Sequence, residues 1–528
     1  MKILFCFYNC GSGLSTHGGL ALLSALAKKE GHEVQLLHFH EKLVPDDVEV
    51  YSPLVKAFDP DLVAFSATDF EYSQVELIAR NIKAIKEVPI LLGGKSAIEI
   101  ATKDITNTPF NAFCIGEAEL PWLEFLDDYE NCRDFFDCEP CMKTLDGMWF
   151  IGNDKKLYTN PLGKNVTDLD SLPFPDYSIF NMDEIIKSKG GWLNVQFSRG
   201  CVYNCTYCYV TADKYQMFDK TKGEGRYGLD KYLRNNSVDY SIKLLKFLRE
   251  QYPSITTFNL DDELPVSIEM HLGRGFDWWK QFCTSYRDNV YREYGTPFCC
   301  NGRINLMTEE IIELMAVSGC KECRMGFESG SYRIRKDILD KPITDENMRQ
   351  VYQWCDKHGL KTTSFTMIGN PTETYEDIDA TIRMTAELKP WLIRLTFCYP
   401  FLNTRLWFYV KKHDLVKEDK LYKQHGYFEE SVIKLPIEDQ HLMMFRHLFP
   451  WFVNMYMLEE EDSKRYLDYI NMYSNIDFTD AKSINTIIDI DKELSLLMGD
   501  KEHFCYFGGN TSYYNCKNKR YANGQIYT

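Results

Sequence analysis

Short apolar segments alternate with amphipathic helical segments in two separate stretches of the chain. The strand candidates of the first stretch are residues 3–7, 34–39, 62–65 and 89–92. Helical patterns stand between them, for instance the one that contains Val75, Ile78, Ala79 and Ile82. This order predicts an α/β domain with a doubly wound, Rossmann-like parallel sheet, which we assign to residues 1–135.

The alternation returns after a connector rich in Pro, Gly and Asn at residues 136–185. Six further strand candidates follow, at residues 193–197, 255–260, 297–301, 322–327, 361–368 and 392–398. Six strands with helical crossovers in about 210 residues fit a partial (βα)6 barrel of the TIM type better than a complete eightfold barrel. We assign that barrel to residues 186–400 and a mainly helical C-terminal domain or cap to residues 401–528.

Composition narrows the class of protein. Of the 528 residues, 45% are apolar and 26% are charged, which is typical of folded chains, and the net charge of -17 disfavours nucleic acid as a partner. We find no apolar run of about 18 residues that would span a membrane. The start, MKILFCFYNC, resembles a buried strand more than a signal peptide. We therefore expect a cytoplasmic protein with reduced thiols, in which clustered cysteines bind metal.

Three cysteines lie within eight residues, directly after the strand candidate at 193–197. Cys201, Cys205 and Cys208 have the spacing C-x3-C-x2-C, which lets three thiolates converge on one loop. A cubane [4Fe–4S] cluster has four irons, so three thiolates leave one iron open to a reactant. The alternatives are a zinc site, for which no fourth ligand is obvious nearby, or three unrelated buried thiols.

This loop resembles that of the radical S-adenosylmethionine (radical SAM) superfamily. The shared features are the spacing, the aromatic residue before the third cysteine, here Tyr207, and the position after the first barrel strand. The resemblance implies an enzyme whose [4Fe–4S] cluster cleaves S-adenosylmethionine to a 5′-deoxyadenosyl radical. It also implies an electron donor such as flavodoxin or ferredoxin.

Motifs at the ends of later barrel strands resemble the same superfamily, and they imply further contacts with S-adenosylmethionine. The candidates are Asp261, Asp262 and Glu263 for the methionine amine, Arg303 for the carboxylate, Glu328 and Ser329 for the ribose, and Ile368 and Gly369 for the adenine. For Arg303, a structural ion pair is an equally good interpretation.

Landmarks in the first 400 residues resemble the cobalamin-binding branch of that superfamily. They are GHEV at 31–34, LLGG at 91–94, GEAE at 116–119 and DSLPFP at 170–175. The resemblance implies cobalamin beyond the carboxyl ends of the first sheet, where glycines admit a flat ring and hydroxyls bind its amide tails. The candidate residues are His17, Ser66, Thr68, Gly93, Gly94, Ser96, Gly116 and Glu117.

The loop around His17 reads STHGGL at 15–20 and lacks the D-x-H-x-x-G motif of cobalamin proteins that ligate cobalt through histidine. An ordinary loop residue is the alternative interpretation of His17. No G-x-G-x-x-G opens the first helix, which disfavours a nicotinamide or flavin.

The combined resemblance implies methyl transfer to an unactivated carbon or phosphorus of a small molecule or natural-product precursor. The alternatives are a radical cyclisation or rearrangement without methylation, and a sensor that binds the cluster and corrinoid without turnover. The aromatic residues of the C-terminal region, such as Trp451, would line a pocket or form a core. Cys132, Cys138 and Cys141 are predicted to be ordinary buried thiols.

Overall fold

A computed structural model describes residues 1–9, 13–68, 70–95, 97, 107–132, 134–211, 232–266, 276–421, 429–507, 509–516, 521–522 and 525–526. The chain divides into two compact units. Unit 1 contains Met1–Gly200, Asp213–Asn259 and Tyr294–Thr296, and unit 2 contains Cys201–Ala212, Leu260–Glu293 and Pro297–Thr528. The domain boundaries expected at residues 135, 185 and 400 stay a prediction.

Unit 1 is built on a seven-stranded sheet. Its strands are β1 (Lys2–Tyr8), β2 (Glu33–Phe39), β3 (Leu62–Ser66), β4 (Ile90–Gly93), β5 (Ala112–Cys114), β6 (Met148–Ile151) and β7 (Leu157–Tyr158). The order is β2-β1-β3-β4-β5-β6-β7, and the first five strands are parallel. The order 2-1-3-4-5 is that of a doubly wound fold, which confirms the predicted fold class.

Helices of unit 1 follow the strands in alternation. They are α1 (Gly18–Lys29), α2 (Val48–Phe58), α3 (Tyr72–Ile85), α4 (Glu119–Asn131), α5 (Glu139–Met142), α6 (Met182–Ser188) and α7 (Val238–Gln251). Apolar residues at helical spacing on α3, such as Val75 and Ile82, are fully buried in one core with Phe65 and Leu92 of the sheet. The helical period of the sequence therefore marks the face that packs.

Part of the predicted connector belongs to the sheet. Strand β6 pairs antiparallel with β5, with Phe150 opposite Ala112, and β7 pairs antiparallel with β6. These strands are four and two residues long and are flanked by Gly and Asn residues, so they carry little periodic signal. The remaining strands of unit 1 are β8 (Trp192–Val195), β9 (Ser198–Arg199) and β10 (Arg234–Asn235), and β11 (Thr257–Leu260) continues into unit 2.

Unit 2 contains a run of parallel strands with helical crossovers. The strands are β12 (Phe298–Gly302), β13 (Cys320–Glu328), β14 (Lys361–Ile368) and β15 (Leu392–Phe397), and the helices are α8 (Asp277–Tyr286), α9 (Arg292–Tyr294), α10 (Glu309–Val317), α11 (Asp345–Lys357) and α12 (Tyr375–Leu388). Together with β8 and β11, they correspond to the six barrel strands predicted from the sequence. All six appear within about two residues of their predicted positions.

The C-terminal region is mainly helical, as predicted. Its helices are α13 (Arg405–Lys412), α14 (Glu418–Leu421), α15 (Asp439–Met457), α16 (Glu460–Tyr473) and α17 (Ala481–Met498). Two further strands, β16 (Phe504–Phe507) and β17 (Gly509–Asn515), extend the barrel sheet because β17 pairs antiparallel with β15. A separate short hairpin joins β18 (Tyr521–Ala522) to β19 (Gln525–Ile526).

Trp451 lies in the core of this region rather than in a pocket. Its side chain is fully buried, and its indole Nε1 donates to Asp491 at 2.7 Å. Among the described residues, every helix is too short or too polar to cross a membrane.

Candidate active site

The three cysteines of the C-x3-C-x2-C motif lie on one loop at the start of the first unit 2 segment. Cys205 is buried, whereas Cys201 and Cys208 are half-buried. Burial, and to a lesser extent the nearby Cys205, raise the pKa of the Cys208 thiol to about 11; burial and Cys205 also raise the pKa of Cys201. These mutual effects place the three thiols near one another, and two of the three residues are partly exposed to solvent.

Distant segments of unit 2 hold this loop in place. The Thr206 backbone N–H donates to the Leu339 carbonyl at 3.0 Å, and its hydroxyl donates to the Ile338 carbonyl at 2.6 Å. On the other side, the Leu406 N–H donates to the Thr206 carbonyl at 2.8 Å, and Arg405 donates to the Asn204 carbonyl at 2.9 Å. The loop conformation thus depends on residues more than 130 positions away in the sequence.

Arg303 lies against the cysteine loop. Its guanidinium Nη1 donates to the Cys205 sulfur at 3.5 Å, and its Nε donates to Asn305 at 2.9 Å. The guanidinium carbon lies 3.5 Å from the centre of the Tyr203 ring, in cation–π contact. The same charge lowers the pKa of Cys201 against the effect of burial. Arg303 therefore favours the thiolate forms of the loop.

A buried ion pair stands at the carboxyl end of β13. Lys341 Nζ donates to Glu328 Oε1 at 2.7 Å, and the Tyr207 hydroxyl donates to the same oxygen at 2.9 Å. Glu328 has a φ of 67°, and a side chain at Gly326 would collide with its carboxylate. This arrangement connects Tyr207 of the cysteine loop to the predicted ribose-binding carboxylate, and Lys341 is a partner that the sequence interpretation missed.

The acidic candidates after β11 differ in exposure. Asp261 and Glu263 are exposed, and Asp262 is buried. The charge of Glu263 raises the pKa of Cys201, which places this carboxylate close to the cysteine loop. The backbone carbonyl of Asp262 accepts from the Asn301 side chain at 2.8 Å. The acidic turn is therefore tied to β12.

The remaining barrel candidates lie in hydrogen-bonded turns. Ser329 is fully buried, and its hydroxyl contacts Thr381 at 3.3 Å and accepts from the Ser331 N–H at 3.2 Å. Ile368 is fully buried, and the N–H of Gly369, at a φ of 77°, donates to Glu373. Burial raises the pKa of Glu373 to about 7. The contacts of Ser329, Ile368 and Gly369 with S-adenosylmethionine stay predictions.

In unit 1, the loops that carry the cobalamin candidates follow β1, β3, β4 and β5. The turn after β3 approaches the turn after β4 closely: the Ala67 N–H donates to the Gly93 carbonyl at 3.1 Å. Gly94 has a φ of 90°, and a Cβ there would lie 2.4 Å from the Ala67 carbonyl oxygen. A Cβ on Gly93 would meet nothing nearer than 3.7 Å. Ser66 and Thr68 flank the contact, and Ser96 lies outside the described residues.

His17 caps helix α1. Its Nδ1 accepts from the Leu20 N–H at 3.1 Å, and its ring stands edge-on to Phe7, with ring centres 5.2 Å apart. Burial lowers the pKa of His17 to about 4, so the ring is neutral near pH 7. The Nε2 atom is the ring nitrogen that the cap leaves for another contact.

Glu117 of the GEAE motif is held between two arginines. It accepts from Arg199 at 2.9 Å and from Arg234 at 2.9 Å, and Arg199 also donates to Glu119 at 2.6 Å. Burial opposes ionisation of Glu117, but the two guanidiniums outweigh it, so the pKa of Glu117 lies below its ordinary value. The carboxylate thus tethers β9 and β10 to the loop after β5, where Gly116 turns the chain at a φ of 94°.

Replacing Gly94 by alanine is expected to destabilise unit 1 by about 1–3 kcal/mol, because the new Cβ meets the Ala67 backbone in a left-handed conformation. Gly93→Ala is the matched control, and we expect it to cost about 1 kcal/mol or less. Hydrogen–deuterium exchange of unit 1 peptides in increasing urea measures the change in the free energy of unfolding for both variants. Equal effects of the two variants would contradict this account of Gly94.

Comparison with known proteins tests these expectations. Residues 195–385 match the family described as the radical SAM superfamily. This segment begins before Cys201 and ends after Gly369. The chain contains a radical SAM domain. Such a domain implies a [4Fe–4S] cluster and S-adenosylmethionine, and the convergent thiols of Cys201, Cys205 and Cys208 beside Arg303 fit that cluster.

Similar proteins extend the likeness beyond the domain. The chain is 26% identical over 402 residues to a protein of Pyrococcus horikoshii named as an uncharacterised methyltransferase, covering 75% of this chain and 79% of that one. The fold of the present chain resembles that of the radical SAM methyltransferase TsrM from Kitasatospora setae, which was solved with cobalamin and a [4Fe–4S] cluster. The TM-score is 0.60 at 14% identity, covering 78% of each chain.

The fold also resembles OxsB, described as a cobalamin-dependent S-adenosylmethionine radical enzyme and solved with aqua-cobalamin and S-adenosylmethionine. The TM-score is 0.63 at 13% identity, covering 93% of this chain and 75% of that one. The likeness includes the Rossmann-like sheet, the partial barrel and the C-terminal region. It confirms the predicted architecture.

Proposed function

We propose that this radical SAM enzyme uses cobalamin to methylate an unactivated carbon or phosphorus of a small molecule or natural-product precursor. The observation that carries the proposal is the carboxyl edge of the unit 1 sheet. This edge includes the switch point between β1 and β3, where the helical connections leave in opposite directions and doubly wound folds bind their ligands.

The residues at this edge suit a large, flat ligand. A side chain at Gly13 or Gly18 would meet nothing within 4 Å, and a Cβ at Gly93 would meet only ordinary contacts. Ser66 and Thr68 supply hydroxyls beside these glycines, as corrin amide groups require. Because the Nδ1 of His17 is engaged in the helix cap, Nε2 is the nitrogen that would face a cobalt ion or an amide.

The two proposed cofactors divide the chemistry between the units. When bound, the cluster and S-adenosylmethionine supply a carbon-centred radical that removes a hydrogen atom, and cobalamin supplies a transferable methyl group. In unit 2, Arg303 keeps negative charge on the cysteine loop, and Lys341 and Tyr207 hold the Glu328 carboxylate at the end of β13. We assign ribose binding to Glu328 and amine binding to Glu263.

Names of similar proteins support methyl transfer. Both the relative from Pyrococcus horikoshii and TsrM are named as methyltransferases. OxsB, which matches more of this chain, is named as a radical enzyme without mention of methyl transfer. A radical rearrangement on the same two cofactors is therefore the second candidate function. We further propose that a flavodoxin or ferredoxin reduces the cluster.

Isotope labelling tests the proposal. We would reconstitute the enzyme anaerobically with iron, sulfide and hydroxocobalamin, pass it through a desalting column, and reduce it with S-adenosylmethionine that carries a ¹³C methyl group. We expect about one corrinoid per chain in the visible spectrum, and ¹³C methyl in the corrinoid released by acid. Corrinoid retention with 5′-deoxyadenosine but without label would overturn methylation and support the rearrangement.

A matched pair of variants locates the corrinoid. Gly93→Val adds a side chain at the proposed edge and is expected to abolish corrinoid retention, while Glu33→Val adds the same side chain at the exposed amino end of β2 and retains it. Both should still form 5′-deoxyadenosine. Equal corrinoid retention by the two variants would show that cobalamin does not bind at this edge.

A further inference from the structure

Unit 1 contains a group of three cysteines that the proposed function does not use. The sulfur atoms of Cys132, Cys138 and Cys141 all lie within 4.8 Å of one another, and all three residues are half-buried. The Cys132 and Cys141 sulfurs are 3.6 Å apart. The expectation of ordinary buried thiols is therefore wrong for these residues, because they converge on one another at the surface.

The backbone that carries these cysteines is well anchored. Cys132 ends helix α4, with its N–H donating to the Asp128 carbonyl at 3.0 Å. Phe135 and Phe136, between Cys132 and Cys138, are buried, and both contact the Phe150 ring of β6. Side-chain packing therefore sets the positions of the thiols before any ligand binds.

Hydrogen bonding and charge around the group suit thiolates that bind a cation. The Cys141 N–H donates to the Cys138 sulfur at 3.4 Å, a contact that stabilises negative charge on that sulfur once it is a thiolate. The exposed carboxylates Asp134, Asp137 and Glu139 surround the group in the sequence and attract cations. A soft divalent ion satisfies both features.

We propose that Cys132, Cys138 and Cys141 bind one Zn²⁺ ion. Tetrahedral zinc with Zn–S bonds of about 2.3 Å needs sulfurs about 3.8 Å apart, close to the observed Cys132–Cys141 distance. The three thiolates occupy three positions, and water fills the fourth. The ion joins the end of α4 to the segment that leads into β6.

The structure bonds Cys138 to Cys141 as a disulfide, whereas the sequence led us to expect reduced thiols. Zinc binding therefore follows reduction by a dithiol, which transfers two electrons and two protons to the disulfide and is itself oxidised to a disulfide. Each of the three thiols then loses its proton to solvent as its sulfur bonds to the ion.

Metal analysis of the full-length protein tests the site. We would treat the protein anaerobically with a dithiol, add Zn²⁺ in slight excess, desalt it, and measure zinc and iron by mass spectrometry. We expect one zinc per chain in the wild type, none in C132S/C141S, and one in C114S, which removes a half-buried thiol of the same unit. Cys201→Ala/Cys205→Ala/Cys208→Ala should lose the cluster iron and keep the zinc.

Three results would overturn the proposal: no zinc in the wild type, equal zinc in C132S/C141S, or a Cys138–Cys141 disulfide that persists in the dithiol. The proposal would also be overturned if the wild type bound iron instead of zinc at this site and C132S/C141S lost that iron. If C132S/C141S does not fold, Co²⁺ added to the wild type decides, because a thiolate-to-cobalt charge-transfer band is expected and its absence rejects the site. The corrinoid and 5′-deoxyadenosine assays report separately on the proposed function.

Discussion

Replacing Cys205 by alanine is expected to reduce formation of 5′-deoxyadenosine to the level of a protein-free control. Cys205 is the buried member of the three convergent thiols, and Arg303 donates to its sulfur. Its loss removes one of three protein ligands and leaves a cationic guanidinium facing an apolar methyl group. Both changes disfavour a bound [4Fe–4S] cluster.

The measurement is 5′-deoxyadenosine by chromatography after anaerobic reconstitution and reduction, with iron and sulfide determined on the same sample. Cys355→Ala is the matched control, because Cys355 is a buried thiol on α11 outside the motif, and we expect it to retain both cluster and activity. Full activity of Cys205→Ala would contradict the assignment of this thiol to the cluster. Loss of activity in both variants would point to a general effect of removing buried thiols.

Lys341→Met is expected to lower the free energy of unfolding of unit 2 by about 3 kcal/mol, because it leaves the Glu328 carboxylate buried without its counter-ion. The two side chains are 9% and 7% exposed, so solvent does not replace the lost charge. The double variant Glu328→Gln/Lys341→Met removes both charges, and we expect it to recover part of the loss. In the double variant, Tyr207 can still donate to the amide oxygen that the glutamine side chain supplies.

Urea titration followed by hydrogen–deuterium exchange of β13 and β14 peptides measures these free energies. Lys336→Met is the matched control, because it removes a lysine after β13 for which the described residues provide no ion pair, and it should change stability by less than about 0.5 kcal/mol. A loss of under about 1 kcal/mol for Lys341→Met, as for an exposed pair, would contradict the buried ion pair. S-adenosylmethionine binding to the double variant then reports on Glu328 independently of stability.

The longer strands could be predicted from the sequence because their signals are local. A run such as KTTSFTMI, which forms β14, contains three threonines, a phenylalanine and an isoleucine, which are residue types that favour strands. The cysteine motif is local too, since its spacing alone lets three thiolates meet on one loop. Short strands were missed for the converse reason: two to four residues, as in β6 and β7, carry too little periodicity.

The partners of the site residues depend on packing between distant segments, and no local pattern encodes such contacts. Lys341 reaches Glu328 only because the turn after β13 folds back on the strand end, and Thr206 is held by carbonyls more than 130 residues later. Glu117 becomes a tether only when β10 brings Arg234 beside it. The sequence by itself therefore determined the longer elements and their order, and it predicts the three cluster ligands. Only the tertiary structure decided which charges meet, because burial and long-range contacts arise when those elements pack.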